Sequence, residues 1–218
     1  MTAASWLLLA VAAALGIGDW VAVARGDRRL EYIFKPAVML ALIGLALTLH
    51  PAVAAQRGWF LAALGLGLLG DVCLVLPVNA LLWGLAAFLL GHLAYIGGFI
   101  AARGEHATAP LVLVLLSAVF AGLNVVVSRP VLGALSRSRS HLLYPVVAYG
   151  AVWAVLLAFA LTSPGRLARI GALAFWFSDI LVGFDRFVRP ARPRIKLLII
   201  VSYHLGQAAL VLSLAIRP

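Results

Sequence analysis

The chain has 218 residues, 65% of them hydrophobic and only 11% charged, with a mean hydropathy of +1.11 and a formal net charge of +10. That much apolar side chain exceeds what a soluble fold of this size can cover, which excludes the soluble classes and points to an all-α polytopic membrane protein. The positive charge does not imply a nucleic-acid partner, because Lys and Arg fall between apolar runs, where they orient helices and meet anionic lipid.

Crossing the hydrocarbon takes about 17 to 25 apolar residues. Eight such windows follow one another, at 5–24, 35–53, 57–76, 80–102, 109–127, 141–162, 166–188 and 194–216, and they form one domain over 1–218 with no soluble insertion. The first window could pass for a signal peptide, but no basic residue precedes it and its apolar pattern continues to Val23, so it reads as a retained helix. The connections are short and carry the breakers Pro51, Pro77, Gly104, Pro130, Pro164, Pro190 and Pro193. Placing the odd-numbered connections in the cytoplasm gathers 12 of the 17 Lys and Arg residues there. Arg57, Arg103, Arg166, Arg169 and Arg217 remain on the other side. By the positive-inside rule both termini are then extracytoplasmic.

A rise of about 1.5 Å per residue turns positions into depths. Asp19, Asp71, Asn124 and Asp179 each lie 13 to 15 residues from the outer end of their helices, about 20 to 22 Å across a core of about 30 Å. Four costly polar residues are thus expected in one plane. Tyr149, Tyr203 and His92 reach about 12 to 18 Å in from the other side, and Lys35 opens the second helix at the inner rim. Together these residues can line a cavity entered from the cytoplasmic leaflet. Pairing Asp19 with Asn124, Pro36 with Pro145, Asp71 with Asp179 and His92 with His204 gives offsets of 105, 109, 108 and 112, the pattern expected of a parallel 4+4 internal repeat.

Cys73 is the single cysteine, so an intramolecular disulfide and a Cys-based metal cluster are excluded. Asp71 sits in the small and greasy run Gly65-Leu66-Gly67-Leu68-Leu69-Gly70-Asp71-Val72-Cys73-Leu74, where an intramembrane carboxylate costs about 2.5 to 3.5 kcal/mol and marks a functional site. Gly67 and Gly70 allow another helix or a substrate to come close. Asp179 follows Ser178 and the aromatic stretch Phe175-Trp176-Phe177. Two carboxyl groups facing one cavity are the minimum kit for general acid and base work, one protonated and donating, the other ionised. The competing reading pairs them with each other, His92, His204 or Lys35 simply to hold helices together. Lys35 can instead snorkel to a phosphate at the rim. Asp71, Asp179, His92 and His204 could ligate a metal, yet no His-x-x-x-His pair supports one, so neither metal nor cofactor is expected. Trp59, Trp83, Trp153 and Trp176 read as packing or interface anchors.

Phe34-Lys35-Pro36, Leu69-Gly70-Asp71-Val72-Cys73-Leu74, Phe88 with His92 and Tyr95, Pro145 to Tyr149, Gly171-Ala172 to Ser178-Asp179 with Phe187, and Tyr203 with Gln207 together resemble the YhhN-like lysoplasmalogenases. The resemblance implies an eight-helix membrane enzyme, here of a bacterial inner membrane, that hydrolyses the vinyl ether bond of lysoplasmalogens to a fatty aldehyde and glycerophosphoethanolamine or glycerophosphocholine. It makes Asp71 and Asp179 the catalytic pair. Lys35, His92, Tyr95, Asn124, Tyr149, Ser178, Tyr203 and Gln207 are then the expected substrate-binding residues, with lysophospholipid and membrane lipids as partners. Phe184-Asp185-Arg186-Phe187 departs from the family pattern, which usually has an amide and a basic residue there, and helix 6 lacks its usual methionine. A proton-coupled lipid or small-molecule transporter and an intramembrane hydrolase of another lysolipid remain as alternatives.

Overall fold

The computed structural model describes residues 1–75, 80–104 and 108–215. Among these residues there are eight helices long and apolar enough to cross a membrane: α1 (Ala3–Arg25), α2 (Arg28–Thr48), α3 (Ala54–Val75), α4 (Leu81–Ala101), α5 (Pro110–Ser138), α6 (Leu143–Thr162), α7 (Arg166–Phe187) and α8 (Pro193–Ser213). Pro77, Arg217 and the expected span ends at 76 and 216 lie outside the described residues.

Two elements depart from the expected boundaries, both at prolines. α2 starts at Arg28 rather than at 35 and takes Pro36 into its interior. Its start is fixed by Asp27, whose side chain accepts from the backbone N–H groups of Arg29 and Leu30 at 3.1 and 3.3 Å, after Gly26 has turned the chain in the left-handed region at φ 69°. Lys35 therefore does not open the helix; it lies two turns inside it. α5 runs 29 residues, straight through Pro130, which was expected to break it. A proline forfeits one backbone bond. Beyond it, Val131 and Leu135 bury themselves against Leu142 and hold the extra turns in place.

Chain neighbours pack in antiparallel pairs, α1 on α2, α3 on α4, α5 on α6 and α7 on α8, and the bundle closes through α2 on α3, α4 on α6, and α8 against α1 and α2. The core is built from Met39, Leu42, Leu45, Phe60, Tyr95, Trp153, Phe175 and Leu210. The tightest crossing is α7 on α8. A Cβ on Gly171 would stand 2.8 Å from the Leu210 backbone nitrogen, and one on Gly206 would stand 2.8 Å from that of Phe175. Only glycine lets the two backbones meet there. α5 presents Leu111, Val114, Leu115 and Val119 outward, an apolar stripe suited to hydrocarbon.

Candidate active site

Asp71 is 1% exposed and is approached from two helices. Lys35 of α2 places Nζ 3.1 Å from Oδ1, and Tyr203 of α8 donates its hydroxyl to Oδ2 at 2.7 Å. The same Lys35 Nζ sits 5.7 Å from the centre of the Tyr203 ring, a cation–π distance. The glycines before the aspartate make this possible. A Cβ on Gly67 would fall 3.6 and 3.7 Å from Gln207 Nε2 and Tyr203 Oη, and one on Gly70 would strike the Phe88 ring at 2.7 Å. Small residues on α3 thus admit α8 on one side and α4 on the other.

Asp179 has a different environment. Tyr149 donates its hydroxyl to Oδ2, and Trp153 donates its indole N–H to the same oxygen at 2.9 Å. The two donors are four residues apart on α6, so one helix face delivers both. Oδ1 accepts no hydrogen bond among the described residues. His92 Nε2 stands 3.8 Å from Oδ2, beyond hydrogen-bonding distance. Its ring is boxed by Trp153, Phe175 and Tyr149 at centroid distances of 4.3, 5.0 and 5.1 Å.

Both carboxyl groups face one open cavity of about 130 Å³, whose wall is mainly apolar. Its mouth lies between Leu74 at the end of α3, Leu81 at the start of α4, and Arg186 and Phe187 at the end of α7. This is the end of the bundle that carries the α1–α2, α5–α6 and α7–α8 connections. Lys35, Asp71, Asn124, Tyr149, Ser178, Asp179 and Tyr203 all reach the wall, as expected.

Three expected binding residues do not line it. His92 stands behind Trp153 and Tyr149, while Tyr95 donates to Gln207 Oε1 at 2.5 Å in a layer behind Tyr203. Two residues on the wall have their polar atoms committed elsewhere. Ser178 donates to the Ile199 carbonyl at 2.9 Å. Asn124 donates to the Gly150 carbonyl at 3.0 Å and accepts from Trp176 at 2.8 Å, which ties α5 to α6 and α7. Asp19 does not join the cavity wall. It is fully buried against α8, where His204 Nε2 stands 3.8 Å away, and neither of its oxygens is hydrogen-bonded. His204 itself accepts from Trp20 at 3.1 Å.

Trp153 and Arg186 are wall residues that the sequence reading assigned to packing and to membrane orientation. The one sequence signal for Trp153 is its spacing, a single helical turn after Tyr149. What the walls assemble is an ion-paired carboxylate, a carboxyl group held among the described residues by neutral donors, and a mainly apolar chamber. Such a set suits proton transfer on an apolar substrate.

The YhhN family model matches residues 30–214. The chain is 33% identical over 172 residues to proteins named lysoplasmalogenase from Mycobacterium bovis and Mycobacterium tuberculosis, covering 75% of this chain and 62% of each relative. It is 31% identical over 150 residues to human lysoplasmalogenase TMEM86B, covering 68% of this chain and 60% of that protein. The chain thus spans less than two thirds of the length of these curated relatives. No solved structure matches it. The matched segment holds Lys35, Asp71, Asp179 and every other wall residue of the cavity but leaves out the whole of α1, Asp19 included, and on that match the chain belongs to the YhhN family.

Proposed function

We propose that the protein is a lysoplasmalogenase, cleaving the vinyl ether bond of a lysoplasmalogen with water to give a fatty aldehyde and a glycerophosphoethanolamine or glycerophosphocholine. The observation that carries this reading is the unequal partnership of two buried carboxyl groups on one apolar cavity, with Lys35 on Asp71 and only neutral donors on Asp179. The names of the relatives at 31 to 33% identity support the same reaction.

In this reading Asp71, compensated by Lys35, is the ionised member, and Asp179 carries a proton on Oδ1. Asp179 delivers that proton to the alkenyl carbon distal to the ether oxygen, and the adjacent carbon becomes an oxocarbenium cation. The Asp71 carboxylate stabilises the cation and takes a proton from the water that adds to it, which leaves a hemiacetal. Collapse returns the hydroxyl proton to Asp179, and Asp71 passes its proton to the departing glycerol oxygen. One water is consumed and both carboxyl groups are reset. Tyr149 and Trp153 fix the Asp179 rotamer, and Tyr203 fixes that of Asp71. The cavity opens toward the cytoplasmic leaflet of a bacterial inner membrane, because its mouth lies at the more basic end of the bundle.

The test is aldehyde release by the purified protein from lysoplasmenylethanolamine, beside an ester-linked lysophospholipid. Aldehyde from the vinyl ether substrate alone is expected. Asp71→Asn and Asp179→Asn should each lose at least about 100-fold in rate, the usual worth of a positioned acid or base. Near-wild-type turnover in either variant would remove that residue from the chemistry, and equal hydrolysis of the ester would move the reading to another lysolipid bond.

A further inference from the structure

Two cations line the cavity, and their charges are committed differently. Lys35 Nζ is 3.1 Å from Asp71. Among the described residues Arg186, at the mouth, faces no carboxylate within 4.0 Å and makes one hydrogen bond, a long contact of 3.3 Å from Nη2 to the Leu74 carbonyl. The neighbouring Asp185 is occupied elsewhere, accepting from the Ala191 backbone N–H at 2.6 Å. Most of the guanidinium fork is therefore open toward the mouth.

Arg186 also stands in a fixed relation to the chemistry. It follows Asp179 by seven residues on the same uninterrupted helix, so the two lie within about 20° of one face and about 10.5 Å apart along the axis. Between them on that face come Val182 and Gly183, both cavity-lining. A Cβ on Gly183 would meet Val131 at an ordinary 3.7 Å, so helix packing does not demand glycine there. Its bare backbone leaves a clear strip from the carboxyl group to the guanidinium. A lysophospholipid carries its anionic phosphate at a bounded remove from the sn-1 oxygen, because only three glycerol carbons separate the two. That spacer, with the reach of the arginine stem, matches the two-turn rise.

Resting on the reaction proposed above, we infer that Arg186 binds the substrate's phosphate, and that α7 acts as a ruler setting the scissile bond at Asp179 when the phosphate is at Arg186. The site therefore selects alkenyl glycerols bearing a phosphate on the far glycerol carbon over phosphate-free ones. Lys35, the cation first expected to meet that phosphate, stays with Asp71.

The test is binding rather than turnover, with two saturated ether probes that lack the cleavable bond, a 1-alkyl lysophosphoethanolamine and a 1-alkylglycerol of equal chain length, titrated against the protein in nanodiscs of neutral lipid. Wild type should bind the phosphate-bearing probe at least about tenfold more tightly, equivalent to about 1.4 kcal/mol. Arg186→Gln should bring that preference close to one, and Arg186→Lys should keep part of it, since an ammonium supplies the charge without the bidentate fork. Arg189→Gln removes an exposed charge three residues further on and should leave the preference intact. The inference is overturned if wild type shows no preference, if Arg186→Gln retains it, or if Arg189→Gln loses it equally. Neither probe can release aldehyde, so these outcomes are separate from those that test the reaction itself.

Discussion

Lys35 and Asp71 depend on each other unequally. Lys35 is 14% exposed and keeps partial contact with solvent, whereas Asp71 is 1% exposed and has no other cation within 4.0 Å among the described residues. Removing the lysine strands a buried carboxylate, which costs about 3 kcal/mol or more, while replacing both partners by neutral groups costs much less. Lys35→Met should accordingly lower the unfolding midpoint in detergent, and Lys35→Met combined with Asp71→Asn should recover most of the loss. A double variant no more stable than the single one would show that the pair is not coupled. At this scale the two catalytic candidates were legible because a carboxylate in a greasy run is expensive. The donors to Asp179 were only half legible. Tyr149 announces itself as a polar tip in an apolar helix, but Trp153 looks the same in sequence whether its N–H meets a carboxylate or a headgroup. Tyr95 and Gln207 failed as cavity residues for a similar reason, since each satisfies the other 2.5 Å apart.

Between helices, the crossing of α7 and α8 sets how far Asp179 can stand from Tyr203. Gly171 and Gly206 bring the two backbones together, and any side chain there must push α7 outward. Gly171→Ala places a methyl group 2.8 Å from a backbone nitrogen. It should cost about 1 to 3 kcal/mol of stability, read as a lower midpoint in thermal denaturation in detergent. An unchanged midpoint would show that the crossing is slack. Helix boundaries were legible except where proline misled. Pro36 and Pro130 have the local chemistry of breakers, yet both lie inside helices. The packing of Val131 and Leu135 on Leu142 that outweighs Pro130 joins residues that local sequence rules treat separately. The shift at Pro36 carries Lys35 from the rim to Asp71.

For the molecule as a whole, hydropathy alone was enough to find eight spans, and counting residues placed each polar group along its own helix. Depth is only one of two coordinates, however. Asp19 was counted to the same plane as Asp71, Asn124 and Asp179, but α1 turns it toward α8, away from the cavity. Rotation about the helix axis depends on which helices become neighbours, and a single sequence does not state that. The orientation proposed above follows from the positive-inside rule applied to the more basic end of the bundle. It can be checked in intact cells by replacing Cys73 with Ala and adding single cysteines at exposed Ser138, on the mouth side, and exposed Gly104, on the opposite side. An impermeant maleimide should label the cysteine at 104 in intact cells and the one at 138 only after lysis. The reverse pattern would turn the mouth outward.

The mouth of the cavity lies at the end of α7, where helix gives way to connection, and in the reaction proposed above this position would decide where the products go. A lysolipid is a single-chain amphiphile, joining a water-soluble headgroup to an apolar chain. That reaction would cut it into one piece that dissolves in water and one that dissolves in hydrocarbon. The headgroup fragment would then leave past Arg186 into solution and the aldehyde would enter the lipid. Partition into two phases would keep the fragments from meeting again and draw hydrolysis forward without any moving part.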